Sequence, residues 1–207
     1  AQVKDILEVA ENIKHFEGKI VSTYEFENPP VLFRRYYKPG SVVSYYKKNK
    51  YRTESVSPGI SNTTMIYDYE KMESLTIMEL LTVLGQTTKT ATLQKINKEP
   101  SLVTTIDYYN EYKTIAGYNC QKALHKTSGA ENKYANTEYT CYVNRDFTTA
   151  GVGFSESNIV PFLLLDYNMP ISSMSFNSYT TSISEEPVDD SLFNLTPPSG
   201  YTFTDTR

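Results

Sequence analysis

The chain has 207 residues, and its 20 Lys and Arg against 24 Asp and Glu leave a net charge of −4, so nothing global draws it to nucleic acid or to anionic membranes. It contains no run of about eighteen apolar residues, which excludes a transmembrane helix; the longest apolar runs are 77–84 and 159–165. With 18 Tyr, no Trp and abundant Thr, Ser and Asn, it reads as a β-rich protein with a polar, exported surface, and its length suits a single domain, 1–207.

The start, Ala1-Gln2, fits the product of signal cleavage after a small residue, with no cysteine there to carry a lipid. Residues 3–16 place Val3, Ile6, Leu7, Ala10, Ile13 and Phe16 at 3–4 spacing, which predicts an amphipathic helix that Gly18 stops. Residues 19–26 alternate as a strand that Asn28-Pro29-Pro30 ends, and 31–37 is a second extended stretch closed by Lys38-Pro39-Gly40. Residues 41–55 read as a hairpin with Lys48-Asn49-Lys50 at its tip, and 62–67 and 72–78 as two further strands. Between 79 and 96 a short helix around Leu80–Leu84 competes with a strand over 87–93, Gly85 separating them. Residues 102–106 form a short strand.

Residues 112–145 read as one long hairpin about a turn at Ser128-Gly129-Ala130-Glu131-Asn132. Folding the chain between Ala130 and Glu131 sets Cys120 opposite Cys141, Tyr118 opposite Val143 and Leu124 opposite Thr137. One face then carries Ala116, Tyr118, Cys120, Leu124, Tyr139, Cys141 and Val143, and the other Lys113, Asn119, Gln121, His125, Glu138 and Asn144. That register favours a Cys120–Cys141 disulfide and an oxidising compartment, the other reading being two buried thiols. Beyond Arg145, residues 158–165 are a buried apolar segment, helix or strand, ended by Pro170; residues 171–183 alternate, with Ile171, Met174 and Phe176 inward.

Two stretches carry a resemblance. Residues 115–123, Ile-Ala-Gly-Tyr-Asn-Cys-Gln-Lys-Ala, resemble the I-x-G-Y-x-C-x-K-A strand of exported Bacteroidetes-type proteins of unknown function close to the GLPGLI group. Residues 188–201, from Val188-Asp189-Asp190-Ser191-Leu192-Phe193 to Gly200-Tyr201, resemble the closing V-D-x-x-L-F-x-x-P-x-G-Y element of that group, which is similar to one in the periplasmic lipoprotein-carrier superfamily, LolA-like and LppX-like. The usual Trp of the paired strand and the literal GLPGLI motif are both missing, Val160-Pro161-Phe162-Leu163-Leu164-Leu165 standing near the latter's place. The resemblance implies an open antiparallel sheet curled into a half-barrel, helices on its concave face, and acyl chains held there in the carrier relatives. It implies no catalytic residues.

Little catalytic chemistry stands out. His15 and His125 have no patterned partners, and neither a zinc nor a calcium spacing occurs, so no metal site and no cofactor are expected. Gly153-Phe154-Ser155-Glu156-Ser157 lacks the second glycine of a nucleophile elbow, and Glu185-Glu186 and Asp189-Asp190 read as solvated turns. One cluster is distinctive. Arg34, Arg35, Tyr36, Tyr37, Lys38, Tyr45, Tyr46, Lys47, Lys48, Lys50, Tyr51 and Arg52 gather cations and tyrosines with no acid among them. If its two halves adjoin, they form a face for anionic glycan, lipid headgroup or peptide. The competing reading is strand-forming Tyr with Lys guarding edges.

The sequence therefore predicts an α+β domain: a curled antiparallel sheet with an N-terminal helix and the 158–165 segment packed on its concave face. It predicts non-enzymatic, exported binding in the periplasm or at the cell surface, with a lipid or other apolar ligand contacted by Ile6, Leu7, Ile13, Tyr118, Phe162, Leu163, Leu164, Met174 and Phe176. The alternative is an interaction module that meets an envelope or cell-surface protein through the Tyr-rich basic face. Nucleic acid is not an expected partner.

Overall fold

The computed structural model describes residues 13–82, 84–96, 102–129, 137–149, 162–171 and 173–207. Among these residues thirteen strands join one sheet: β1 Lys14–His15, β2 Gly18–Glu27, β3 Gly40–Lys47, β4 Lys50–Ser57, β5 Ser61–Asp68, β6 Glu73–Leu81, β7 Thr87–Lys95, β8 Leu102–Ile115, β9 Tyr118–Gly129, β10 Thr137–Thr148, β11 Phe162–Ile171, β12 Met174–Ser184 and β13 Thr202–Asp205. Their order is β13-β7-β6-β5-β4-β3-β2-β12-β11-β10-β9-β8, with β1 beside β10. All pairings are antiparallel except β1 on β10 and β13 on β7. The two ends of the path do not meet, so the sheet is curled but unclosed. The only helices among the described residues are 3₁₀ segments, Val31–Tyr36 and Asp190–Phe193.

The run β2 to β7 follows from the alternation of the sequence, and its turns fall at the breakers. The 41–55 hairpin forms as β3 and β4, closed beyond Lys47↔Lys50, and the 62–67 and 72–78 strands form as β5 and β6. β6 extends through Leu80 and Leu81, so the short helix is not formed there.

Several expectations change. Residues 3–12 of the N-terminal helix, with Ile6 and Leu7, lie outside the described residues. Its last part is not helical: Lys14–His15 is a strand on Phe147 and Thr148, and Gly18 opens β2 instead of stopping a helix. Phe16 is 1% exposed and packs edge-on against Phe147 and Tyr46, so its burial is against the sheet itself. Residues 31–36 are a 3₁₀ helix, not an extended stretch; the preceding proline, Pro30, supplies a non-helical entry at ψ 131°. The apolar segment at 158–165 is described only from Phe162, and from there it is the central strand β11, not a layer on the concave face.

The long hairpin is three strands. Ala116 and Gly117 have φ of 47° and 91°, the double left-handed pair of a two-residue hairpin turn, and they fold β8 back on β9 with Ile115 opposite Tyr118. β9 then pairs with β10 in a register three residues away from the one read from the cysteines: Cys141 faces Ala123, and Val143 faces Gln121. Three is odd, so the faces of β9 exchange. Cys120 and Cys141 point to opposite sides, enter separate core clusters and are both free thiols, so the disulfide is not formed. His125 is not solvated but 1% exposed.

Among the described residues, three apolar clusters form the core. Ile106, Ala123, Cys141, Val143 and Phe162 pack on the β8–β11 side with Ile13 against them. Phe16, Ile20, Ile115, Cys120, Phe147, Leu163 and Leu165 form the second. The third lies on the other side of β5–β7, where Ile66, Leu75, Ala91 and Leu93 are covered by Val188 and Phe193 of the C-terminal tail.

Candidate functional site

The concave side of the sheet contains a groove of about 270 Å³ between β2–β4 and β10–β12. Strands that lie five steps apart along the sheet, β4 and β10, both line it, which is a direct consequence of the curl. Three alternating stretches supply one wall: Ile20 and Ser22 of β2, Val42, Ser44 and Tyr46 of β3, and Tyr51 of β4. The register makes them rungs, Ser22 opposite Val42, Ile20 opposite Ser44 and Tyr46 opposite Tyr51. The other wall is Tyr139 with Leu164, Leu165, Tyr167, Met169 and Ser178. Two successive β11 leucines can line one groove because the β10 pairing slips there: Tyr142 faces Asp166 and Val143 faces Leu164, leaving Leu165 as the bulge residue.

Aromatic rings extend the groove in both directions. On one side Phe16, Tyr46, Tyr51, Tyr67 and Tyr69 follow one another at centroid separations from 4.9 to 6.0 Å. On the other side His125, Tyr139, Tyr167, Phe176, Phe26 and Tyr37 form a continuous track, each ring within 6.1 Å of the next. Such pairs stabilise a pleated surface beyond their area burial.

Among the described residues, no side chain lining this groove is an acid or a base. Its polar atoms are three serine and four tyrosine hydroxyls, of which Ser44 and Tyr51 lie within 3.4 Å of one another. Burial raises the Tyr46, Tyr139 and Tyr167 hydroxyls above the ordinary tyrosine value, the mark of a low-dielectric site where a charge is unfavourable. A second, shallower cleft of about 180 Å³ on the opposite side contains Lys113 and Asp166, already paired at 2.8 Å, with Lys113 lying 4.0 Å above the Tyr142 ring.

Of the apolar residues expected to contact a ligand, Leu164 lines the groove and Phe176 lies on the aromatic track leading from it. Phe162 and Leu163 are in solid core, Ile13 packs beside Phe162, and Met174 stands at the far end of β12. Tyr118 covers Phe147 and donates to Glu185 Oε1 at 2.6 Å.

The basic, Tyr-rich cluster does not form one face. Arg34, Arg35, Tyr36 and Tyr37 lie at the end of β2–β3 where Tyr24 faces Gly40, whereas Lys47 and Lys48 stand at the other end, where Gly18 faces Tyr46. Within the second half the alternation divides the residues again. Tyr46 and Tyr51 turn into the groove; Tyr45 packs under the tail, and Arg52 Nη1 donates to Leu192 O at 2.9 Å. Lys47 donates to Val188 O at 2.8 Å, and Lys47 and Lys50 pair with Asp190 at 3.1 and 3.3 Å. These cations hold the tail whose acids read as a solvated turn. Ile20, Ser22, Val42, Ser44, Leu165, Tyr139, Tyr167, Met169 and Ser178 were not expected at a site; the signal that finds them is the i, i+2 alternation of Ile20-Ser22 and Val42-Ser44-Tyr46 once a concave side is assigned.

No metal-ligating cluster occurs among the described residues, and no helix of theirs is long and apolar enough to cross a membrane. No family model matches the chain, and no curated protein does. Among solved structures it is similar to the lipoprotein LppX of Mycobacterium tuberculosis, at 8% identity over 90% of this chain and 96% of that one with a TM-score of 0.38. It is also similar to LprF from Mycobacterium bovis, at 8% identity over 94% and 95% with a TM-score of 0.37. A DUF1329 family protein from Desulfovibrio piger gives 6% identity over 93% and 94% with a TM-score of 0.34.

Proposed function

We propose that this protein is a non-enzymatic, exported binder of an uncharged lipophilic ligand, which lies in the groove between β2–β4 and β10–β12. The observation that carries the reading is the lining: aliphatic side chains, tyrosine faces and serine hydroxyls, with no ionised group among the described residues. A carboxylate or phosphate buried there would lose water and find no charged partner, whereas a hydroxyl or ester group would find donors. The volume of about 270 Å³ lies just below the range of roughly 300–1,000 Å³ for sites that enclose drug-sized ligands, so the ligand enters with one chain or one ring. The histidines and cysteines favour binding over catalysis. His15 Nδ1 lies 3.1 Å from Thr148 Oγ1, His125 is buried with its pKa pushed down to about 4, and burial pushes the Cys120 and Cys141 thiols up to about 11 and about 12.

The test is titration with the uncharged fluorophore N-phenyl-1-naphthylamine, followed by competition with a monoacylglycerol and with the corresponding fatty acid anion. Saturable fluorescence displaced better by the monoacylglycerol is expected, and Val42→Trp, which fills the groove from β3, should abolish it while the fold is retained. No saturable binding to the native protein, or unchanged affinity in V42W, would remove the proposal.

A further inference from the structure

The turns of an antiparallel meander alternate between two ends of the sheet, and the exposed aliphatic side chains do not. Val31 and Leu32 lie in the β2–β3 connection, Val56 at the β4–β5 turn, Leu80, Leu81 and Leu84 at the β6–β7 turn, and Ile171 at the β11–β12 turn. These are the exposed Val, Leu and Ile residues among those described, and all seven are on one rim. Leu32 and Leu84 are each 86% exposed and Val31 is 75% exposed, values that no packing requirement produces. Neighbouring turns on this rim are two strands apart, about 10 Å, so the apolar tips form a spaced row instead of one continuous patch.

The display is built. Leu84 stands on a turn closed by Thr82 N donating to Gln86 O at 2.8 Å and Gly85 N to Thr82 O at 2.9 Å, with Gly85 at φ 77°. Leu81 N donates to Ile60 O at 2.8 Å, tying that turn to its neighbour. Exposed Arg34, Arg35 and Lys38 follow Val31 and Leu32 in the same connection, and Lys38 Nζ comes within 3.8 Å of the β-carbon position at Gly59 of the adjacent turn. Glu27 is the acid nearest in sequence, and Glu79 is neutralised by Lys89 at 2.8 Å. The opposite end is finished differently, with Lys14–Glu185, Lys47–Asp190 and Lys50–Asp190 ion pairs and the tail laid across it.

We infer that this rim docks on an anionic lipid bilayer, the aliphatic tips entering the headgroup–acyl boundary and the three cations meeting lipid phosphates above it. Separate aliphatic prongs suit a fluid interface, which closes around each of them; a rigid protein partner would require a continuous, close-packed centre richer in aromatic anchors. The cations supply the complementary charge locally although the whole chain is negative. The aromatic track through Phe176 and Phe26 ends at Tyr37 on this same rim, so docking would place that end of the track at the membrane surface.

The experiment is co-sedimentation of the full chain with phosphatidylcholine vesicles, with and without about one quarter phosphatidylglycerol, at low and high salt. Binding to the anionic vesicles and weaker binding to neutral ones is expected. Leu32→Ser with Leu84→Ser, both exposed and therefore tolerated by the fold, should weaken it roughly a hundredfold, about tenfold for each side chain withdrawn from the interface. Arg34→Gln with Arg35→Gln should remove the preference for anionic vesicles. Circular dichroism and the melting temperature of each variant establish that it is folded. Failure of the native chain to sediment with anionic vesicles overturns the inference, as does undiminished binding by L32S/L84S. So does sedimentation-velocity evidence, without vesicles, of a native dimer that L32S/L84S dissociates, because the rim would then be a protein contact.

Discussion

Cys141 stands directly across the β9–β10 ladder from Ala123, and Cys120, three residues along β9, points to the opposite side of the sheet. Each thiol is 0% exposed, Cys120 among Ile115, Phe147 and Leu163, Cys141 among Ile106, Val143 and Phe162. Burial raises both thiol pKa values, to about 11 and about 12. Both cysteines should therefore persist as unreactive thiols even under air. Titration with a thiol reagent should find two reactive groups in denaturant and almost none in the native protein. An intact mass lower by the two hydrogens that a disulfide removes would contradict this.

The same pair shows how far the sequence could be read. The alternation of Tyr, Thr and Val was enough for nine or more of the strands, because burial of one face imposes period two on residues such as Ile20-Ser22-Tyr24 whatever the strand's neighbours. Register is a different quantity. Two pairings show it: the Ala116-Gly117 turn that folds β8 on β9 lacks an Asn-Gly or Asp-Gly signature yet takes two positive φ values, and β9 meets β10 with Ala123, not Cys120, opposite Cys141. Treating the cysteines as partners fixed the register three residues away, and an odd error exchanges both faces, which is why His125 read as solvated. Curl was also not legible. That Tyr46 and Tyr139, separated by 93 residues, line one groove depends on twist accumulated over four strand pairings, which no local pattern records.

His125 is 1% exposed, stacked on Tyr139 at 4.5 Å and opposite Ile106, and neither ring nitrogen has a hydrogen-bond partner among the described residues. Desolvation lowers its pKa from 6.5 to about 4. Between those values the unfolded chain binds a proton that the folded chain does not, so stability rises with pH across the window and falls as pH drops through it. Denaturant unfolding should therefore show a loss of about 2 kcal/mol on going from about pH 7 to about pH 5 from this residue alone. His125→Phe, which keeps the stacking and removes the nitrogens, should flatten that dependence. An equal pH slope in H125F and the native protein would show that other groups control it.

Gly40 opens β3 where a β-carbon would strike Val56 O and the Tyr24 ring and hydroxyl. Tyr24 is 6% exposed and stacked on Phe176 at 5.2 Å, so it cannot swing away without disturbing the aromatic track. Gly40→Ala should cost about 1–3 kcal/mol through displaced packing. At Gly85 nothing lies within 4 Å, and only φ 77° opposes a side chain, so Gly85→Ala should cost about 1 kcal/mol. Thermal melts of the two variants should separate in that order, and reversal would place the constraint elsewhere.

The C-terminal tail is the cover of the third apolar cluster, and its two kinds of contact should weigh very differently. Phe193 is 3% exposed and Val188 6%, both against Ile66, Leu75, Ala91 and Leu93, the Leu75 side chain being fully buried beneath them. Removing the Phe193 ring leaves a cavity between tail and sheet, and Phe193→Ala should destabilise by about 3–5 kcal/mol. Asp190, by contrast, meets Lys47 and Lys50 at the solvent boundary, where water and salt screen the pairing. Its carboxyl is held below the usual range by those two lysines, so the contribution is present at neutral pH and fades on acidification. Asp190→Asn should therefore have a much smaller effect than F193A, and high salt should abolish the difference between D190N and the native protein while leaving the F193A deficit intact. Limited proteolysis separates the readings further: F193A should expose cleavage sites between Ser184 and Thr202, and D190N should not. Equal losses from the two substitutions would mean that ion pairs, and not the buried ring, hold the tail on β5–β7.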